Sequence, residues 1–172
     1  MDDKQSQIKN SVYKMLGTIS TDNAYARKIS AFLRHSADQM PGEDPELFGW
    51  LMENIPEELQ AYGGEVSKAE WAIFTALTLY PGGTAHSSSN ISIADAAALA
   101  GITREKLVLI EIADNLEMAR QPLRALLQLL RAKGQSINYA VLASDLYAWQ
   151  WDKIKTARKW ERDYARKEKT NE

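Results

Sequence analysis

Five cations, Lys155, Arg158, Lys159, Arg162 and Arg166, recur at three- and four-residue steps near one end of the chain. On an α-helix that spacing gathers them on one side, with Ile154, Ala157, Trp160 and Tyr164 forming an apolar stripe on the other. The chemistry such a face can do is electrostatic. Like charges three and four residues apart repel unless a counter-anion lies between them. Glu161 and Asp163 fall at the flanks of the basic stripe, not within it. A nucleic-acid backbone is the obvious anion, because arrays of Lys and Arg hold phosphates without regard to sequence. The plainer explanation is a solvated face, with basic residues drawn to the last turns of a helix by its dipole.

Two smaller groups accompany the stripe. Arg124 and Arg131 are seven apart and share a face beside a run of leucines, with Arg120 and Lys133 close by. On spacing alone these read as arginines whose stems cover the edge of a core. Arg27 and Arg34, also seven apart, form a third group with Lys28 and His35. The candidate nucleic-acid-binding residues are therefore Lys155, Arg158, Lys159 and Arg162, followed by Arg124, Arg131, Arg27 and Arg34. Trp71, Trp149 and Trp160 sit at helical spacing beside leucines and read as core. Trp151, in the corner Trp149-Gln150-Trp151-Asp152, is the aromatic most open to stacking on a base.

Catalysis finds little support. The chain has two histidines, His35 and His86, and no cysteine, so thiolate nucleophiles, thiolate metal sites and disulfides are excluded. Ser87-Ser88-Ser89 lacks an evident base, no carboxylate–histidine cluster has ligand spacing, and no glycine-rich phosphate loop occurs. Asp95, Asp114, Glu117 and Asp145 read as caps and surface charges. No catalytic residue, metal or cofactor is expected. Ala97, Gly101 and Leu107 fit helix-turn-helix spacing, but a recognition helix must offer polar side chains to base edges. The segment from Lys106 to Ile112 is largely apolar and reads as a buried helix.

The elements that must position these groups are helices. At 172 residues, 45% apolar and with five tryptophans, the chain has enough material for one ordinary domain or two small ones. Its net charge of -2 is uneven: residues 153–172 hold eight basic and four acidic groups, while the remainder carries -6. No run approaches the roughly 20 apolar residues of a membrane span, and the first residues lack the basic and apolar regions of a secretory signal. A cytoplasmic setting without a membrane partner is expected.

Ile8, Val12, Met15 and Ile19 predict a helix over 4–19, and Tyr25, Ile29, Phe32 and Leu33 face inward from a second, capped by Thr21 or Asp22 and reaching about 37. A short third helix runs from Leu47 to Ile55. Ser67-Lys68-Ala69-Glu70 matches a capping box and opens a fourth. Residues 81–90, rich in Gly, Ser and Pro, read as the most flexible stretch and as a boundary. Beyond it lie an alanine-rich helix from Ser92, a helix over 103–114, one with Pro122 in its first turn, one capped by Asn138, and the basic helix over 153–172. The expected fold is all-α, with two small helical bundles, 1–84 and 85–172, packed together.

One segment also resembles a family signature. Ile137-Asn138-Tyr139 through Asp145-Leu146-Tyr147-Ala148-Trp149, followed by Lys155, Arg158, Lys159, Trp160, Asp163 and Tyr164, looks like the C-terminal pattern of the CasB family. Leu123-Arg124 through Leu130-Arg131, Phe32-Leu33-Arg34-His35 and Trp71 through Leu77 resemble earlier family helices in the same order. His35 stands where the family pairs a second arginine, and Lys106 to Ile110 replaces an arginine-rich stretch.

CasB proteins are the small subunits of the type I-E CRISPR surveillance complex, Cascade. The resemblance implies a non-catalytic helical subunit that meets the backbone and large subunits, guide RNA, target DNA and a second copy of itself, and that stabilises the R-loop. The rival expectation is a helical scaffold whose basic face docks an acidic partner subunit.

Overall fold

The computed structural model describes residues 2–170. Positions 1, 171 and 172, which fall within the segments expected from sequence, lie outside that range. Nine α-helices and two 3-10 turns, Ser36–Asp38 and Glu57–Leu59, make up the regular structure of the described residues, and no strand occurs among them. The fold is all-α, as expected.

The first four helices are α1 (Asp2–Ile19), α2 (Ala24–His35), α3 (Pro45–Asn54) and α4 (Lys68–Leu79). α1 exists because Ile8, Val12, Met15, Leu16 and Ile19 recur on one side, and all five are buried. Asn23, not Thr21 or Asp22, caps α2: its Oδ1 accepts from Ala26 N at 2.8 Å. Asp44 caps α3, so that helix starts two residues earlier than its apolar pattern predicts. The Ser67–Glu70 capping box forms in both directions. Tyr25 is exposed and Phe32 and Trp71 are only partly buried, against the expectation that they are core.

The remaining helices are α5 (Ile93–Leu99), α6 (Arg104–Glu111), α7 (Leu116–Ala132), α8 (Tyr139–Trp151) and α9 (Lys153–Thr170). Asn115 caps α7, so Pro122 lies inside the helix and not in its first turn. A proline there costs one intrahelical hydrogen bond, and the Leu123, Leu126, Leu127 and Leu130 face, fully buried, holds the helix together across it. Asn138 caps α8 as expected, accepting from Ala140 N and Val141 N. α6 is only half buried: Leu107 and Ile110 point inward, while Leu109 and Ile112 face solvent.

α8 is buried on nearly every side, which explains its lack of an amphipathic pattern. It packs on α1 and α4 on one side and on α9 on another, while α9 covers α5 and touches α6. α7 packs on α6 and α4. The buried apolar residues of both sequence halves form one continuous cluster.

Residues 81–90, expected to be the most flexible, are instead tied down along part of their length. His86 and Ile137 form a parallel bridge, Ser87 N donates to Ile137 O at 2.7 Å and Ile137 N to Ala85 O at 3.2 Å. Thr84 Oγ1 donates to Gln135 O, and the buried Tyr139 hydroxyl donates to Thr84 O at 2.7 Å. Small polar residues here serve to let this strap lie close against the start of α8.

Candidate nucleic-acid interface

Arg34 leaves the last turn of α2, while Arg124 and Arg131 project from one face of α7, two turns apart. Two adjoining depressions, of about 220 and 440 Å³, lie between those helices and the loop after α4. Arg34 and Gly83 stand in the wall of both; Arg124 lines the first and Arg131 the second. Two sequence groups some ninety residues apart thus become one arginine-lined trough.

Gly83 makes that approach possible. A Cβ there would lie 2.6 Å from the Tyr139 hydroxyl and 2.8 Å from the Leu79 carbonyl, so no larger residue fits without movement.

The three arginines are not equivalent. Arg124 Nη2 donates to Ala37 O at 2.9 Å and Asp38 Oδ1 at 2.7 Å, and only 24% of its side chain is exposed. It ties α7 to the turn after α2. Arg120, one turn earlier, is more deeply committed: it is buried, donates to Gln39 O and lies over the Trp71 ring, and burial lowers its pKa. Arg34 and Arg131 are exposed and have no ion pair among the described residues. Arg27 sits farther up α2, paired with Asp22 at 2.9 Å in full solvent.

The basic helix α9 is anchored by a buried polar network. Trp160 Nε1 donates to Asp145 Oδ2 at 2.9 Å, and Lys159 Nζ bridges Asp145 at 3.2 Å and Asp163 at 3.1 Å. Asp163 also accepts from Ser92 Oγ at 3.1 Å and Arg166 Nη2 at 2.7 Å. Tyr164 Oη reaches Ile102 O at 2.7 Å.

Asp145 is therefore no surface charge, as its sequence context led us to expect, but a buried carboxylate. Burial pushes its pKa up against the opposing pull of Lys159 and Trp160. Burial alone would lower the Lys159 ammonium, but the carboxylates of Asp145 and Asp163 together outweigh it and raise it. Two carboxylates and two cations, Lys159 and Arg166, balance within this network.

The other cations of the basic stripe, Lys155, Arg158 and Arg162, border two different grooves. Lys155, with the edge of Lys159, lines a groove of about 530 Å³ shared with Lys9 and Ser6 of α1 and Ser144 of α8. Lys9 belongs to no basic cluster in the sequence; only the packing of α1 on α8 brings it there. Arg158 and Arg162 border a second groove, against α6. The apolar side of α9 also differs from expectation: Trp160 and Tyr164 are buried, but Ile154 is 68% exposed in that second groove. Thr156 and Asp163 take the inward positions beside Trp160.

Trp149 is core, as expected. Trp151 is more than half exposed, with the Lys68 ammonium 4.7 Å from its ring centroid and Tyr147 edge-on to it. His86 is engaged in structure: its Nδ1 accepts from Tyr139 N at 3.2 Å, and burial lowers its pKa. Among the described residues no group of three His, Asp or Glu could hold a metal ion, and no helix is long and apolar enough to cross a membrane.

Comparison with known proteins supports one family. The family model of the CRISPR-associated protein Cse2 matches residues 30–164. No curated protein matches the chain. Among solved structures, CasB from Thermobifida fusca is similar, with 19% identity, a TM-score of 0.67, and coverage of 93% of this chain and 96% of that one. A chain of a CRISPR RNA-guided surveillance complex is similar with 21% identity, a TM-score of 0.70, and coverage of 96% and 95%. At such identities the likeness establishes the shared helical fold.

Proposed function

The chain belongs to the CRISPR-associated protein Cse2 family, and from that premise we propose that it is a non-catalytic small subunit of a type I-E Cascade ribonucleoprotein. In this role it contacts nucleic-acid backbone without sequence specificity and stabilises the R-loop of guide RNA and target DNA. It works in the cytoplasm beside the backbone and large subunits and a second copy of itself.

The observation that carries this proposal is the arginine trough. Arg34, shared by both depressions, stands with the fixed guanidinium of Arg124 in one and with Arg131 in the other, around a loop that Gly83 keeps close; Arg34 and Arg131 are unpaired among the described residues. Cations spaced along a shallow trough suit successive phosphates, whose contacts position a strand without reading it. Lys155 and Lys9 add cations at a second groove beside α9, whose lining also holds Asp152 and the Lys159–Asp145 pair, with Arg27 outlying on α2.

R-loop formation exchanges one duplex for another of similar stability, so a few backbone contacts are enough to tip it. An acidic remainder with local basic troughs fits a subunit that neighbours deliver to the nucleic acid, in place of one that coats free DNA. Cross-linking within the intact complex tests the assignment. Amine-reactive coupling to nucleic acid is expected at Lys155 and Lys9, and coupling confined to lysines far from both basic regions would contradict it.

A further inference from the structure

The groove between α6 and α9 has a different chemistry from the arginine trough. It measures about 570 Å³, and Ile112, Ile154 and Ala157 line it. Ile112 is 65% exposed and Ile154 68%, so two branched aliphatic side chains, one at the C-cap of α6 and one in the first turn of α9, face water together.

Arg104, Lys153, Arg158 and Arg162 border the same groove against Glu111 and Glu161. Arg104 Nε donates to Glu161 at 2.6 Å, and Lys153 Nζ donates to Ala113 O. Arg158 and Arg162, one turn apart, have neither hydrogen bond nor ion pair through their side chains among the described residues. Glu111 does not neutralise them fully. Its Oε2 is buried without a hydrogen-bond partner, and burial, with the nearby Glu161 carboxylate, raises its pKa to about 7.

Surplus positive charge beside a wet apolar pair calls for a ligand that supplies both anions and hydrocarbon. A phosphate backbone would meet the arginines and leave both isoleucines in water. A protein segment carrying carboxylates around an apolar anchor satisfies both, in the arrangement of a buried centre and charged rim found at protein interfaces.

We propose that the α6–α9 groove docks an acidic segment of a neighbouring protein subunit, which seats apolar side chains on Ile112 and Ile154 and pairs its carboxylates with Arg158 and Arg162. This inference rests on the assignment of the chain as a subunit of a larger assembly and assigns Arg158 and Arg162 to a protein partner.

The test is competitive assembly. Wild-type and variant chains, differently tagged, are co-expressed with the other Cascade subunits and guide RNA, and the ratio in purified particles is read by mass spectrometry. Ile154→Ser and the pair Arg158→Glu/Arg162→Glu are each expected to fall at least tenfold behind wild type, while Lys14→Ala, at an exposed cation of α1 outside every groove described above, competes equally. Circular dichroism melting of the isolated variants checks folding, and all three positions are exposed. Equal incorporation of Ile154→Ser overturns the proposal. So does a charge-reversed chain that incorporates fully and loses only DNA binding, which would return those arginines to phosphate. Loss of self-association by isolated Ile154→Ser, with incorporation intact, would assign the groove to a second copy and also overturn it. Failure of the wild-type chain itself to enter the particle would count instead against the assembly assignment.

Discussion

Lys159 Nζ lies 3.2 Å from Oδ2 of the buried Asp145, the same oxygen that accepts the Trp160 indole N–H at 2.9 Å. Asp145 comes from α8 and the other two from α9, so this contact fixes the basic helix against the core. It gives one of the helix's cations a structural role before any ligand is considered.

The two partners are expected to respond unequally to mutation. Lys159→Met leaves Asp145 buried without its cation and is expected to cost about 3–5 kcal/mol at neutral pH. Because burial already raises the Asp145 pKa, acidification lets that carboxyl take a proton, and the deficit should shrink as pH falls. Asp145→Asn keeps an acceptor for Trp160 and leaves Lys159 beside Asp163, so a smaller loss of about 1–3 kcal/mol is expected. Urea denaturation at two pH values checks both; a Lys159→Met loss below 1 kcal/mol would mean that the ammonium serves only its solvent side.

Gly83→Ala tests the close approach beside the arginine trough. The added methyl would meet a backbone carbonyl at 2.8 Å and the Tyr139 hydroxyl at 2.6 Å. A loss of about 1–3 kcal/mol is expected from such overpacking, together with weakened target binding as the loop moves away from Arg34 and Arg131. An alanine variant as stable as wild type would show that the loop yields freely.

Glu111 makes stability depend on pH. Its native pKa, about 7, lies above the ordinary value of 4.5, so between those values the folded chain holds a proton that the unfolded chain has released. Stability from this group is full below about pH 4.5 and is lost as pH rises to 7 and beyond. Glu111→Gln should flatten that decline, read as the difference between variant and wild-type urea midpoints at pH 5 and pH 8. An identical difference at both pH values would contradict the shift.

Much of the fold was legible in periodicity. Ile8 through Ile19, the capping box at Ser67, the helix opened by Ser92 and the leucines of α7 all lie where their spacing places them, while the second capping box, between Ser92 and Asp95, emerges only in the structure. α8 carried no amphipathic signal because it is buried all round; only the Asn138 cap marked its start.

The site was legible in residue type but not in arrangement. Arg34 and Arg131 read as separate groups, since the trough that joins them depends on the packing of α2 and α7 around Gly83. The Asp145 carboxylate looked like a surface charge because the partners that justify burying it, Lys159 and Trp160, lie on another helix. Ile154 read as core because helical spacing aligns it with Trp160, yet α9 turns Thr156 and Asp163 inward instead.

The claim that the trough holds a phosphate backbone is tested most directly by the salt dependence of target binding. Complexes assembled with wild-type chain or with Arg34→Ala/Arg131→Ala are titrated with target DNA across a range of salt concentrations. Removal of two phosphate contacts should make the slope of log K against log[salt] shallower by about 1.4–1.8 for each copy of the chain, with assembly unchanged. A weaker affinity with an unaltered slope, or no change in either, would contradict the account.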